Sequence, residues 1–228
     1  MLLSSIMGID LRTTMDMDTT IVGIDMNQEE LKRILMEILS IDVDDNVRFE
    51  YISTSKIKDE DLYGGFRFKI NAYLNKLRAN LQIDVATGDI ITPKAIEYKY
   101  KCLFDDKYLD LITYNLETIL AEKFNSVISI GVLNSRMKDY YDIYYLLTSK
   151  SNEIDKKILK QAIINTFDHQ KTDIHSIKER FEQIRENSKI DEQWRNYSKK
   201  HHYTINISKN DLMNEIEKIV ELFSEDCI

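Results

Sequence analysis

Apolar residues recur at helical spacing through two stretches in the middle of the chain. Ile119, Leu120, Phe124, Val127 and Ile128 mark the first, and Tyr141, Ile143, Tyr144, Leu146 and Leu147 the second. Residues 131–135 break the rhythm at Gly131, so the pattern predicts two helices joined by a short turn. Upstream the periodicity differs. Residues 18–25, 47–57, 64–76, 79–86 and 96–104 read as strands, the last of them closing the strand-rich half. Residues 75–78 connect two of these runs as an antiparallel pair. Residues 1–10 read as part of a helix. Residues 27–40 carry Leu31, Ile34, Leu35, Ile38 and Leu39 at helical spacing, with Asn27 placed to cap. Beyond residue 116 the helical runs are 155–168, 174–185, 191–200 and 209–223, with 203–207 the one extended candidate. Sheet first and helices after predicts an α+β fold: a mixed or antiparallel sheet flanked by helices over 1–114, then a helical half over 115–228.

Composition changes this picture little. A chain of 228 residues with 43% hydrophobic and 31% charged residues is that of a folded globular protein. No apolar run approaches the roughly 20 residues that a membrane helix needs. The opening lacks the basic front of a signal peptide. Cys102 and Cys227 are far apart and read as reduced thiols of a cytoplasmic protein. His201 and His202 sit among lysines without zinc-ligand spacing and read as surface residues. Trp194 and Phe181 read as helix-packing residues. The net charge of -8 excludes a uniformly basic surface, not a local one. Lys156, Lys157, Lys160, Lys171, Lys178, Lys199 and Lys200 read either as a solvated helix face or as a surface for RNA.

The candidate chemistry lies in two places. Residues 12–21 read RTTMDMDTTI, where Asp16 and Asp18 alternate with methionines at a strand start. Alternation puts both carboxylates on one side, where they repel unless a cation lies between them. An oxygen-only pair suits Mg²⁺, or Mn²⁺ in its place. Residues 123–147 read KFNSVISIGVLNSRMKDYYDIYYLL. Here Arg136, Asp139 and Asp142 recur every third residue and share a helix face, with Lys123 on the preceding helix. Solvated charges with one intrahelical ion pair would account for this pattern as well.

The order R-x-T-x-D-x-D, a strand ending I-D-V, L-x-x-x-x-A-E-K and then R-x-K-D-x-Y-D-I-x-x-L resembles the AbiEii/AbiGii nucleotidyltransferase toxins over about residues 2–147. The most specific part is RMKDYYDIYYLL. The resemblance implies a nucleotidyltransferase-like fold whose helical half completes the active site with Lys123 and Asp139. It implies transfer of a nucleoside monophosphate from an NTP to an acceptor, for some members tRNA, and a cognate antitoxin. It also implies roles: Asp16, Asp18 and Asp84 around the metal, Lys123 and Asp139 in catalysis, Lys123 and Arg136 on the nucleotide, Arg12 and Asp142 in support. Arg136 would either contact phosphate or lock Asp139. Asp84 reads equally as a solvated charge on an edge strand.

Two other readings stand beside this one. Asp84 followed by Glu97-Tyr98-Lys99 on the next strand has the spacing of an Asp…Glu-x-Lys metal-dependent nuclease. The family's Gly-Gly turn, whose amides would cradle a triphosphate, has no counterpart before Met1-Leu2-Leu3-Ser4. That departure is what either a start placed too late or a truncated, inactive copy that only binds its antitoxin would show.

Overall fold

The computed structural model describes residues 2–8, 16–21, 27–57, 65–102 and 106–223. Contacts divide the chain into two compact units, one within Arg12–Asp89 and one formed by Leu2–Leu11 with Ile90–Ile228.

The first unit is a four-stranded mixed sheet with one helix on it. β1 (Asp16–Ile21), α2 (Gln28–Leu39), β2 (Val47–Ile57), β3 (Gly65–Leu74) and β4 (Leu77–Thr87) follow in chain order, after a short helix α1 (Leu2–Met7) that belongs to the second unit. The strand order is β1-β4-β3-β2, with β1 parallel to β4 and the other pairings antiparallel. The two-residue turn Asn75-Lys76 joins β3 to β4. Asn75 takes φ +53°, a left-handed conformation that its short amide side chain tolerates. Gly65 starts β3 where a Cβ would lie 3.0 Å from the Val85 carbonyl oxygen, so glycine lets the strands close there without either giving way. Asn27 caps α2, its side chain accepting from the amides of Glu29 and Glu30. Leu31 and Leu35 of α2 pack on Phe66, Phe68 and Ile70 of β3 and Val85 of β4. Because strand side chains alternate, the intervening Arg67, Lys69, Gln82 and Asp84 belong to the face turned away from α2.

The second unit is mostly helical. β5 (Ile96–Lys101) and β6 (Tyr108–Thr113) form a two-stranded antiparallel ribbon, and Ser5 of α1 meets Tyr98 hydroxyl to hydroxyl at 2.9 Å. Then come α3 (Leu116–Ile130), a 3-10 turn (Gly131–Leu133), α4 (Met137–Ser149), α5 (Lys156–His169), α6 (Ile177–Glu186), α7 (Ser188–Ser198) and α8 (Lys209–Glu221). Leu120, Phe124, Ile128, Ile143, Leu146, Phe167, Phe181 and Ile216 form its core. Trp194 is buried too and donates its Nε1–H to the Ile207 carbonyl at 2.8 Å.

The fold class read from sequence is the one observed, an α+β chain with a mixed sheet and a helical carboxy-terminal half. Three details differ. The strand over 18–25 is β1, which begins at Asp16; its continuation past residue 21 lies outside the described residues. A further strand, β6, follows the one taken as last. Tyr108, Leu109 and Ile112 are all exposed, so β6 carries no alternation to announce it. Residues 203–207 are not extended. They begin inside a 3-10 turn (His202–Thr204) in which Thr204 is buried, its hydroxyl donating to the His201 carbonyl at 2.7 Å. By contact the β5–β6 ribbon packs with the helices that follow it, whereas its strand character alone groups it with the sheet.

Candidate functional site

In the first unit the acids stand on neighbouring strands. Asp18 of β1 pairs in parallel register with Asp84 of β4, and Asp16 with Gln82. Thr19 fixes this register from the side, donating its hydroxyl to the Asp84 carbonyl at 3.1 Å. Thr20 donates in the same way to the Asp89 carboxylate, which makes Asp89 a structural residue. Asp18 is exposed. β4 is an inner strand of the sheet, so Asp84 is not on an edge. Nor is Asp84 a bare solvated charge. Arg67, directly opposite on β3, donates Nε to Oδ1 at 2.8 Å and Nη2 to Oδ2 at 2.7 Å. This two-pronged pair engages both carboxylate oxygens. Arg12 lies outside the described residues, as does the Asp16 side chain.

In the second unit a lysine sits between two buried acids. Lys123 of α3 donates to Asp139 Oδ1 at 2.7 Å and lies 3.1 Å from Asp142 Oδ2. Asp139 is 4% exposed and Asp142 0%. Ser126, one turn after Lys123, donates its hydroxyl to the other oxygen of Asp139 at 3.2 Å. Burial pushes the Lys123 ammonium down, but the charges of Asp142 and Asp139 and its hydrogen bonds to both outweigh that, and the group is held above its ordinary value. The adjacent Tyr140 is buried, and burial first, then the Asp139 charge, pushes its phenol up.

The turn between the helices sets this geometry. Asn134 is fully buried; its amide donates to the Ser126 carbonyl at 3.1 Å and accepts from the Arg136 amide at 2.8 Å. It thereby ties the end of α3 to the start of α4. Arg136 does not lock Asp139: it precedes the first turn of α4, exposed, and among the described residues its guanidinium pairs with no carboxylate. Lys123 performs the locking instead, because the preceding helix brings its ammonium to the buried side that Asp139 faces.

The nuclease constellation does not form within one sheet. Glu97 and Lys99 lie on β5, which among the described residues pairs with β6 and not with the strand of Asp84.

A model of the family described as "Nucleotidyl transferase AbiEii toxin, Type IV TA system" matches residues 1–216. The chain belongs to the AbiEii family. As an AbiEii protein it is a nucleotidyltransferase toxin of a type IV toxin–antitoxin system, and its partner is an antitoxin. Two solved structures are similar. A candidate nucleotidyltransferase from H. pylori has 12% sequence identity over 100% of this chain and 88% of that chain, with a TM-score of 0.45. JHP933 from Helicobacter pylori has 14% identity over 89% of this chain and 84% of that chain, with a TM-score of 0.42. No curated protein sequence shows significant similarity to the chain.

Several residues of this AbiEii chain carry geometry that its sequence did not single out. Arg67 was legible only as a cation between two phenylalanines of an alternating strand. Ser126 and Asn134 gave no signal beyond lying near Lys123 and Arg136. His201 is more than a surface residue: its ring lies 4.2 Å from Tyr197 and 5.3 Å from Tyr203. Among the described residues, no helix is long and apolar enough to cross a membrane.

Proposed function

We propose that this AbiEii toxin transfers a nucleoside monophosphate from an NTP to tRNA in a metal-dependent reaction in the cytoplasm. The observation that carries the reading is the in-register pair Asp18 and Asp84 on adjacent strands of the polar sheet face. Exposed carboxylate oxygens are the donors that Mg²⁺ or Mn²⁺ takes, usually one or two of them together with water and substrate phosphates. Among the described residues no group of three ligating side chains stands together, and the Asp16 side chain lies outside them. Asp16 and Asp18 would hold that ion, with Asp84 as the third carboxylate and Arg12 in support. When bound, the ion activates the attacking hydroxyl and neutralises the leaving pyrophosphate.

The remaining roles fall to the chain's own cations. Lys123 is charged through the whole physiological range and fixed by two buried acids, which suits a group that steadies charge building on a phosphate. Asp139 acts with it in catalysis, and Asp142 supports both. Arg136, with its guanidinium exposed, is assigned to the nucleotide phosphates. Of the helical-half lysines, Lys156, Lys157, Lys171, Lys178, Lys199 and Lys200 are exposed and supply a surface for the tRNA backbone. Lys160 is spent differently, lying over the Phe223 ring at 5.7 Å.

The test is incubation of the purified chain with Mg²⁺, each labelled NTP in turn and total tRNA. Label should appear on RNA and vanish in Asp16→Ala, Asp18→Asn and Lys123→Ala. Absence of label with a folded wild-type protein overturns the reading, and shortened RNA without label points to the nuclease instead.

A further inference from the structure

Arg67, Asp84 and Asp18 form one row across three adjacent strands, β3, β4 and β1. Neighbouring strands in a sheet are about 4.8 Å apart, so two carboxylates in such a row repel each other. Arg67 relieves this by taking both oxygens of Asp84. The two partners are not equally placed: the Arg67 side chain is 39% exposed and that of Asp84 16%. The arginine therefore has an open path to solvent, while the carboxylate stays where the sheet holds it.

We propose that Arg67 is the resident counter-cation of this acidic face, holding Asp84 while no divalent ion is bound and releasing it when one enters. The proposal rests on the metal reading above. A divalent ion binds carboxylate oxygen at roughly 2.1 Å and carries twice the charge of the guanidinium, so it can displace at least one prong of the pair. It must do so before Asp84 becomes a ligand. Arg67 thus lowers the affinity of the empty site for metal and keeps the two acids from repelling when it is absent. Once displaced, the guanidinium can turn to the phosphates that accompany the ion, a planar fork suited to their oxygens.

The alternative is a simple strut between β3 and β4, and the two differ in sign. Removing a competitor tightens metal binding; removing a strut does not. The experiment is a Mn²⁺ titration of the full 228-residue chain without nucleotide, with free Mn²⁺ read by electron paramagnetic resonance. Arg67→Met should bind Mn²⁺ about tenfold more tightly than wild type, the scale of withdrawing one opposing charge from a partly exposed site. Arg67→Lys keeps a charge but loses the fork, and should fall between the two. If Arg67→Met does not fold by circular dichroism, the Lys variant decides alone. Unchanged or weaker binding in the folded variants, while Asp18→Asn weakens it, leaves the metal site standing and overturns the counter-cation. Unchanged binding in Asp18→Asn removes the metal reading and this proposal together.

Discussion

Lys123 and Asp139 lie on consecutive helices with Nζ 2.7 Å from Oδ1, and Asp142 closes the arrangement from one helical turn further on. One ammonium therefore compensates two carboxylates that have almost no access to water. Lys123→Met should remove nucleotidyl transfer and cost roughly 3–5 kcal/mol of stability, because it strands buried charge. Adding Asp142→Asn to that variant should restore part of the stability and none of the activity. Urea unfolding at neutral pH beside the labelling assay measures both.

Alkaline pH should act on the same helices. The ordinary Lys value is 10.5, and in the folded chain Lys123 titrates above it. A folded value above the unfolded one means that its stability is fully present below about 10.5 and is lost as pH rises through the higher folded value. Tyr141 works in the same direction. Burial, then the neighbouring tyrosines, raise its phenol from 10.0 to about 12, so its share also falls as pH climbs through that range. The urea midpoint should therefore drop on going above about 10.5. The drop should be shallower in Lys123→Met and in Tyr141→Phe. An equally steep drop in both variants would count against these two groups as its source.

Asn134 should matter more than its place in a turn suggests. Asn134→Ala removes two hydrogen bonds and leaves the Ser126 carbonyl without that donor. The expected cost is about 2–3 kcal/mol. Activity should fall further than stability explains, since the start of α4 sets where Asp139 meets Lys123. Asn134→Asp keeps the acceptor for the Arg136 amide but not the donor, and should lie between Ala and wild type. Comparing labelling rates at a temperature where every variant is fully folded isolates the positioning effect.

The ribbon residues provide a contrast. Glu97→Gln and Lys99→Ala should leave both labelling and RNA length unchanged, because β5 pairs with β6 and not with the strand of Asp84. A loss of RNA cleavage in either variant would revive the nuclease.

In the first unit, Asn27→Ala should cost about 1 kcal/mol through the lost helix cap. Labelling should persist, since α2 packs on the sheet face opposite to Asp84. A fluorescence or circular dichroism melt reads the stability change.

Much of the architecture was written locally. The helices α2, α3 and α4, the turn at Gly131 and the β3–β4 hairpin follow from periodicity, a capping asparagine and a two-residue turn. Each of these depends on residues within a few positions of one another. The lysine between Asp139 and Asp142 was half legible. The three-residue spacing of the acids puts them on one face, but which cation meets that face depends on the neighbouring helix. Sequence distance favoured Arg136, three residues from Asp139, while packing delivered Lys123, sixteen residues away.

What the sequence determined by itself is the set of elements, their order and the AbiEii signature, because helix and strand periodicity and capping are short-range effects. Tertiary structure alone decided that Asp84 stands on an inner strand opposite both Asp18 and Arg67, and that the β5–β6 ribbon joins the helices. Strand order and register arise from which hydrophobic faces bury together. Phe66, Phe68 and Val85 meet Leu31 and Leu35 only when β3 and β4 lie under α2, and that burial turns Arg67 and Asp84 to the other side.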